Sequence, residues 1–335
     1  MPDASSIHYR FSRLVAVVLL AGVSALLWRL PVPSARPPGG TTMSKGTAGD
    51  RAAALEEKLR QNPDQSAALA ELGALRFGIG QYDEALSLLE RAVRADQENE
   101  QAFLELAMLY RFRGRYADAE AMFLRAIQLN PKNDWAYVDL GKLYRNGGRH
   151  AEAEAMFRQA LDINPKSHLA WSYGLGYLYL DQGRYADAEA AFQKAMTLAP
   201  ESEWPYMGLG SVYRETGKHA ESEAMFLRAL KVNPESDAAI GLGHLYLDQR
   251  RYAEAEAVFE GSLAKRPKSD ILNGLGFLYT LTARYPEAEA VFRQSVAINP
   301  RNGGYGGLEK LYRLEGRGAE AEDMRRLAAE FSRKP

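Results

Sequence analysis

Residues 134–165 read DWAYVDLGKLYRNGGRHAEAEAMFRQALDINP, and two helical faces can be read from them. Tyr137, Leu140, Gly141 and Tyr144 fall at i, i+3, i+4 and i+7, the apolar stripe of one helix. Asn146-Gly147-Gly148 breaks it. Ala153, Phe157 and Ala160 then fall at i, i+4 and i+7, a second helix that stops at Asn164-Pro165. Gly141 and Ala153 are small where two antiparallel helices would cross most closely. Neither helix can bury its stripe alone, so each needs its partner and a further unit beyond it.

Further units are present on both sides. GRYADAEAMFLRAIQLNP (114–131) and GRYADAEAAFQKAMTLAP (183–200) agree at twelve of eighteen positions. Prolines stand at Pro131, Pro165, Pro200, Pro234, Pro267 and Pro300, spaced 34, 35, 34, 33 and 33 residues, and Pro63 lies 68 residues before Pro131. A period near 34 outranks any local signal and predicts a stacked array. The pair Leu-Gly with a tyrosine three residues on recurs as Leu140/Gly141/Tyr144, Leu175/Gly176/Tyr179, Leu209/Gly210/Tyr213, Leu242/Gly243/Tyr246 and Leu275/Gly276/Tyr279, with Leu106/Ala107/Tyr110 close to it. An alanine followed four residues later by phenylalanine recurs at Ala119/Phe123, Ala153/Phe157, Ala188/Phe192, Ala255/Phe259 and Ala288/Phe292, with Ser222 before Phe226.

These letters resemble the tetratricopeptide repeat, W-x2-L-G-x2-Y followed by A-x3-F and P. The resemblance implies an all-α fold, a right-handed α-solenoid of helix-turn-helix repeats over residues 51–335. Its parts are a half repeat at 51–65, repeats at 66–99, 100–133, 134–167, 168–202, 203–236, 237–269 and 270–302, and a degenerate capping repeat at 303–335. The extra residue in 168–202 should disturb the stacking there.

The N-terminus reads differently. Arg10 and Arg13 precede fifteen uncharged residues, Leu14 to Trp28, so residues 1–30 are expected to be a signal peptide or a membrane anchor. Val23-Ser24-Ala25 offers a cleavage point, while counting Phe11 to Leu30 gives an anchor of spanning length; both readings stand. Residues 31–50, with four prolines and four glycines, read as a flexible linker. This places the protein in the cell envelope, exported or membrane-anchored. Net charge is −1, which gives no field for nucleic acid, and the absence of cysteine removes thiolate chemistry and disulfides.

No catalytic constellation, metal set or cofactor loop emerges, and the chain does not read as an enzyme. His150 and His219 occupy the slot of Tyr116, Tyr185, Tyr252 and Tyr285, a packing position at a turn. The Gly-Leu-Gly strings at 174–176, 208–210, 241–243 and 274–276 sit inside helices and lack the spacing of a phosphate loop. Asn302 to Gly307 reads as a loosened turn. The acidic second helices, with Arg125, Arg158, Lys194 and Arg228 downstream, read as a solvated outer face.

In the family resembled, first helices line an inner groove. Carried over by position, the lining includes Met108, Arg111, Trp135, Lys142, Arg145, Tyr173, Tyr177, Trp204, Arg214, His244 and Phe277. Arg111, Lys142 and Arg145 would form a basic spot for a carboxylate, unless Glu105 and Asp139 pair with them. The aromatic residues have the composition of a binding hot spot. The expected partner is a protein, bound as an extended peptide or a helix. A glycan- or polymer-binding accessory, or a regulatory subunit of a separately encoded glycosyltransferase or protease, is the alternative. Oligomeric state is left open.

Overall fold

The computed structural model describes residues 45–333, so the expected signal or anchor segment and most of the linker lie outside the described residues. Among the described residues the secondary structure is entirely helical. The chain divides at Gln182/Gly183 into two compact units. In the first, α1 (Lys45–Gln61) precedes three hairpins, α2–α3 (Ser66–Gly78, Tyr82–Ala95), α4–α5 (Glu100–Phe112, Tyr116–Leu129) and α6–α7 (Asp134–Asn146, His150–Ile163). It closes with a π-helical stretch, Ala170–Gly176, that runs into α8 (Tyr177–Asp181). The second unit begins with α9 (Tyr185–Leu198). Four hairpins follow: α10–α11 (Glu203–Glu215, His219–Val232), α12–α13 (Ala238–Asp248, Tyr252–Lys265), α14–α15 (Ser269–Leu281, Tyr285–Ile298) and α16–α17 (Gly304–Leu314, Gly318–Arg333).

Three sequence expectations are corrected. Helix α1 starts at Lys45, inside the stretch read as linker. Its KGTAGD start is followed by RAAALEEKLRQ, whose Leu55 is buried, and α1 packs on α2. The extra residue of repeat 168–202 is taken up inside the first helix as a π-helical turn, which adds a residue without breaking the helix. In the glycine-rich 302–307 the turn is confined to Asn302 and the left-handed Gly303, because α16 starts at Gly304 and Gly307 packs against Phe292.

Glycine and phenylalanine set the distance between helices. Phe157 is fully buried, and a Cβ on Gly141 or Gly174 would lie 2.5 or 2.7 Å from its ring. In the second unit Phe226 sits in the same way between Gly210 and Gly241, and Phe259 between Gly243 and Gly274. The Gly-Leu-Gly strings are therefore slots for a ring from the neighbouring second helix, which is why larger side chains are absent there. The hairpin turns close with a left-handed residue, glycine at Gly114 and Gly148 (φ 75° and 74°) but Arg250 and Ala283 (φ 60° and 58°) in two later repeats.

A polar lattice ties each second helix to the next repeat. The Tyr144 hydroxyl donates to Glu120 at 2.8 Å, while Arg149 lies 4.0 Å from the Tyr144 ring and donates to Glu120 at 2.7 Å. Tyr110 with Glu90, Tyr179 with Glu154, Tyr213 with Glu189 and Tyr246 with Glu223 repeat the tyrosine–carboxylate bond. The glutamates of the acidic second helices are thus not simply solvated, as the charge pattern alone had implied. Glu289 is the most heavily bonded, accepting from Tyr312, Arg317 and Arg293 at 2.8, 2.9 and 2.7 Å.

Burial by itself would raise the Glu289 carboxyl, but the bonds from Arg317, Tyr312 and Arg293 outweigh it and hold the pKa at about 2. A depressed folded-state pKa contributes stability that is complete above the ordinary value of 4.5 and is lost as pH falls towards 2. Glu289→Gln should therefore be less stable than wild type at pH 7, with the gap closing between pH 4.5 and 2. Urea midpoints of the two proteins across that range check this; a gap that does not depend on pH would refute the charge-based account.

Candidate partner-binding site

First helices of adjoining repeats pack on one another at α2/α4, at α6 with the π-helical stretch, and at α10/α12, α12/α14 and α14/α16, and the charge of Arg111 on α4 bears on Lys142 of α6. In the first unit the predicted lining residues stand on α4, α6, the π-helical stretch and α8. Met108 and Arg111 lie one helical turn apart on α4, and Trp135, Lys142 and Arg145 recur along α6. Met108, Arg111, Trp135, Arg145 and Tyr177 are partly exposed. Asn133 starts α6 by accepting from the Trp135 backbone N–H at 3.1 Å, which fixes where Trp135 emerges.

Lys142 does not line the surface. It is 3% exposed, its ammonium donates to Asp139 at 3.1 Å, and it lies 5.1 Å from the centre of the Tyr173 ring. Burial lowers its pKa, with the charges of Arg111 and Arg145 pushing the same way and Asp139 opposing. Tyr173 is buried too, and its backbone carbonyl accepts from Arg145 Nη1 at 2.9 Å. Arg145 also lies 3.4 Å from Asp181 and 5.7 Å from the centre of the Tyr177 ring. The π-helical turn supplies both Tyr173 and the Arg145 acceptor, so the inserted residue is part of how this cluster is built. Asp181 was missed from the sequence. Burial raises its carboxyl, and Arg145 and then His150 act against that.

In the second unit Trp204 and Arg214 stand on α10, His244 on α12 and Phe277 on α14. Arg214 lies 2.8 Å from Glu215 and 3.8 Å from Asp248. His244 is buried edge-on against Phe259, with centroids 5.9 Å apart, and burial followed by the Arg214 charge depresses its pKa to about 3. It is a neutral packing residue, not a lining one. Phe277 is partly buried against Phe292 at 5.5 Å, with the Lys310 ammonium 5.8 Å from its ring centre. Lys310 was also missed; its position matches Lys142 in the repeat register, which is the signal that would have found it.

Among the described residues no cluster of three or more histidine or acidic side chains is placed to hold a metal ion. None of the described helices is long and apolar enough to cross a membrane. What the first-helix faces offer is apolar aromatic surface beside charge, suited to non-covalent recognition.

Comparison with known proteins agrees with the geometry. Residues 34–240, more than half of the chain, match the family described as the cilia and flagella-associated protein 70 C-terminal domain, a tetratricopeptide repeat region, and residues 240–303 match the tetratricopeptide repeat itself. The chain belongs to the tetratricopeptide repeat family. A comparison with curated proteins gave no match. Among solved structures, it is similar to a tetratricopeptide repeat protein from Parabacteroides merdae, at 20% identity and a TM-score of 0.60 over 73% of this chain and 98% of that one. Yeast Tom70 follows at 17% identity and 0.63 over 86% and 62%. The human IFIT1 dimer with m7Gppp-AAAA follows at 19% and 0.61 over 86% and 78%. At these identities the likeness shows the fold alone.

Proposed function

We propose that the protein is a non-catalytic scaffold that binds a protein partner, as an extended peptide or a helix, along the first helices. Proteins of this fold generally mediate protein–protein interactions. The observation that carries the reading to this chain is the part-exposed Met108, Trp135 and Tyr177 on neighbouring first helices of one unit. Large apolar side chains of low rotational entropy beside cations are what a peptide hot spot needs. The basic lead and the apolar run Leu14–Trp28 support a setting in the cell envelope.

Site-specific photo-crosslinking in intact cells, followed by envelope fractionation, tests this. A photoreactive residue at Met108 or Trp135 is expected to give one dominant protein adduct in the envelope fraction. A probe at Gln159, exposed on α7, is expected to give none. Equal labelling from all three positions, or no protein adduct from the first two, would overturn the reading; in the second case retention of the probe on glycan would favour a polymer-binding accessory.

A further inference from the structure

Three cations meet on neighbouring first helices of the first unit, and only two have internal counter-ions. Lys142 has Asp139 at 3.1 Å and Arg145 has Asp181 at 3.4 Å. The Arg111 side chain makes no hydrogen bond or ion pair among the described residues, and its Nε is buried without a partner. Its charge nevertheless bears on Lys142, so it belongs to the same cluster.

The repeat register explains how this arises. An arginine one position past the repeat tyrosine reaches the residue two positions past the tyrosine of the next repeat. Arg145, after Tyr144, meets Asp181, two past Tyr179; Arg214, after Tyr213, meets Asp248, two past Tyr246. Arg111 follows Tyr110, and the residue two past Tyr144 is Asn146, a neutral amide. One arginine of this slot has therefore lost its carboxylate while keeping its buried donor. A buried donor left without an acceptor costs stability, and a ligand that accepts from it removes that cost.

On the proposed role as a protein-binding scaffold, we infer that Arg111 is the anchor for a carboxylate side chain, Asp or Glu, of the bound segment. Three cations against Asp139 and Asp181 leave one positive charge, which suits a monoanionic carboxylate better than a phosphate carrying close to two charges. A guanidinium accepts a carboxylate as a two-pronged partner, and Met108 one turn back offers apolar contact to the residues flanking it.

Full-chain protein is titrated with two arrays of fluorescent twelve-residue peptides, acetylated and amidated at their ends so that side chains carry the only carboxylates. The arrays match except that Asp and Glu in one are Asn and Gln in the other. Wild type is expected to bind its best acidic peptides about tenfold or more tightly than their amide twins. Arg111→Met should abolish that preference while leaving the amide twins bound as before, and Arg113→Gln, which alters a residue already paired with Asp83, should leave it intact. The thermal midpoint of Arg111→Met should equal or exceed that of wild type, since a lone charge has been removed.

An acidic preference that survives Arg111→Met, or a fall of several degrees in that variant's midpoint, overturns the assignment. So does tighter binding of phosphoserine peptides than of their glutamate twins. Equal binding of both arrays by wild type sinks the carboxylate anchor while leaving the scaffold reading in place; binding of neither array sinks both.

Discussion

Phe259→Ala is expected to lower the stability of the second unit by about 3–5 kcal/mol. The ring is fully buried on α13 and wedged between first helices α12 and α14, where Cβ atoms on Gly243 and Gly274 would lie 2.3 and 2.6 Å from it. Cavity cost depends on how far neighbours can collapse. Glycines on both sides have no side chain to move inward, and His244, edge-on to the ring, would lose its cover. The cost should therefore fall at the upper end of that range. Phe259→Leu should cost less, because Leu89 fills the equivalent slot against Gly73 in the repeat 66–99. Stacked repeats melt by neighbours, so the loss should show as a lower urea midpoint together with faster amide exchange in α12, α13 and α14. A loss below about 1 kcal/mol would mean that the ring is not what spaces these helices.

That slot shows what sequence alone conveys. The period, the turn positions and the small–large pairing of glycine with phenylalanine are local, one-dimensional signals, and each reappears as a helix, a turn or a packed ring. The chemistry of the inner face was only half legible, because depth is not written in position. Lys142, Tyr173 and His244 share a register with surface residues, yet each is buried by the repeat beside it. Asp181 and Asp248, which pair with Arg145 and Arg214, lie in the following repeat, so a search for charges near in sequence, which finds Asp139 for Lys142 and Glu215 for Arg214, cannot find them. The inserted residue of 168–202 was visible as a break in spacing. That it becomes a π-helical turn, and that this turn delivers a carbonyl to Arg145, follows only from the backbone.

The buried Lys142 pair yields the second large effect, and it is asymmetric. Removing its counter-ion by Asp139→Leu leaves an ammonium 3% exposed with Arg111 and Arg145 as neighbours, a change expected to cost about 3–5 kcal/mol. An upper limit comes from proton release. A lysine of ordinary pKa 10.5 can shed its charge at pH 7 for about 5 kcal/mol, at about 1.4 kcal/mol per unit. Lys142→Met removes the charge that needs compensation and replaces it with an apolar chain of similar length. It is expected to be neutral or stabilising, and the double variant Asp139→Leu/Lys142→Met should recover most of what Asp139→Leu loses.

The pH dependence fixes the sign. Burial holds the folded-state pKa of Lys142 below that of the unfolded chain, so its folded state gains stability as pH rises towards 10.5. Losing Asp139 removes the main opposing influence, which deepens that depression. The deficit of Asp139→Leu should therefore shrink between pH 7 and 10, whereas the double variant, which has no titrating group at 142, should not share the gain that wild type makes over that range. Chemical denaturation of the four proteins at pH 7 and pH 9.5 measures both effects. Equal stability of Asp139→Leu and wild type at pH 7 would mean that the lysine has another way to keep its charge, and that the net positive charge left to Arg111 is smaller than three cations against two carboxylates implies.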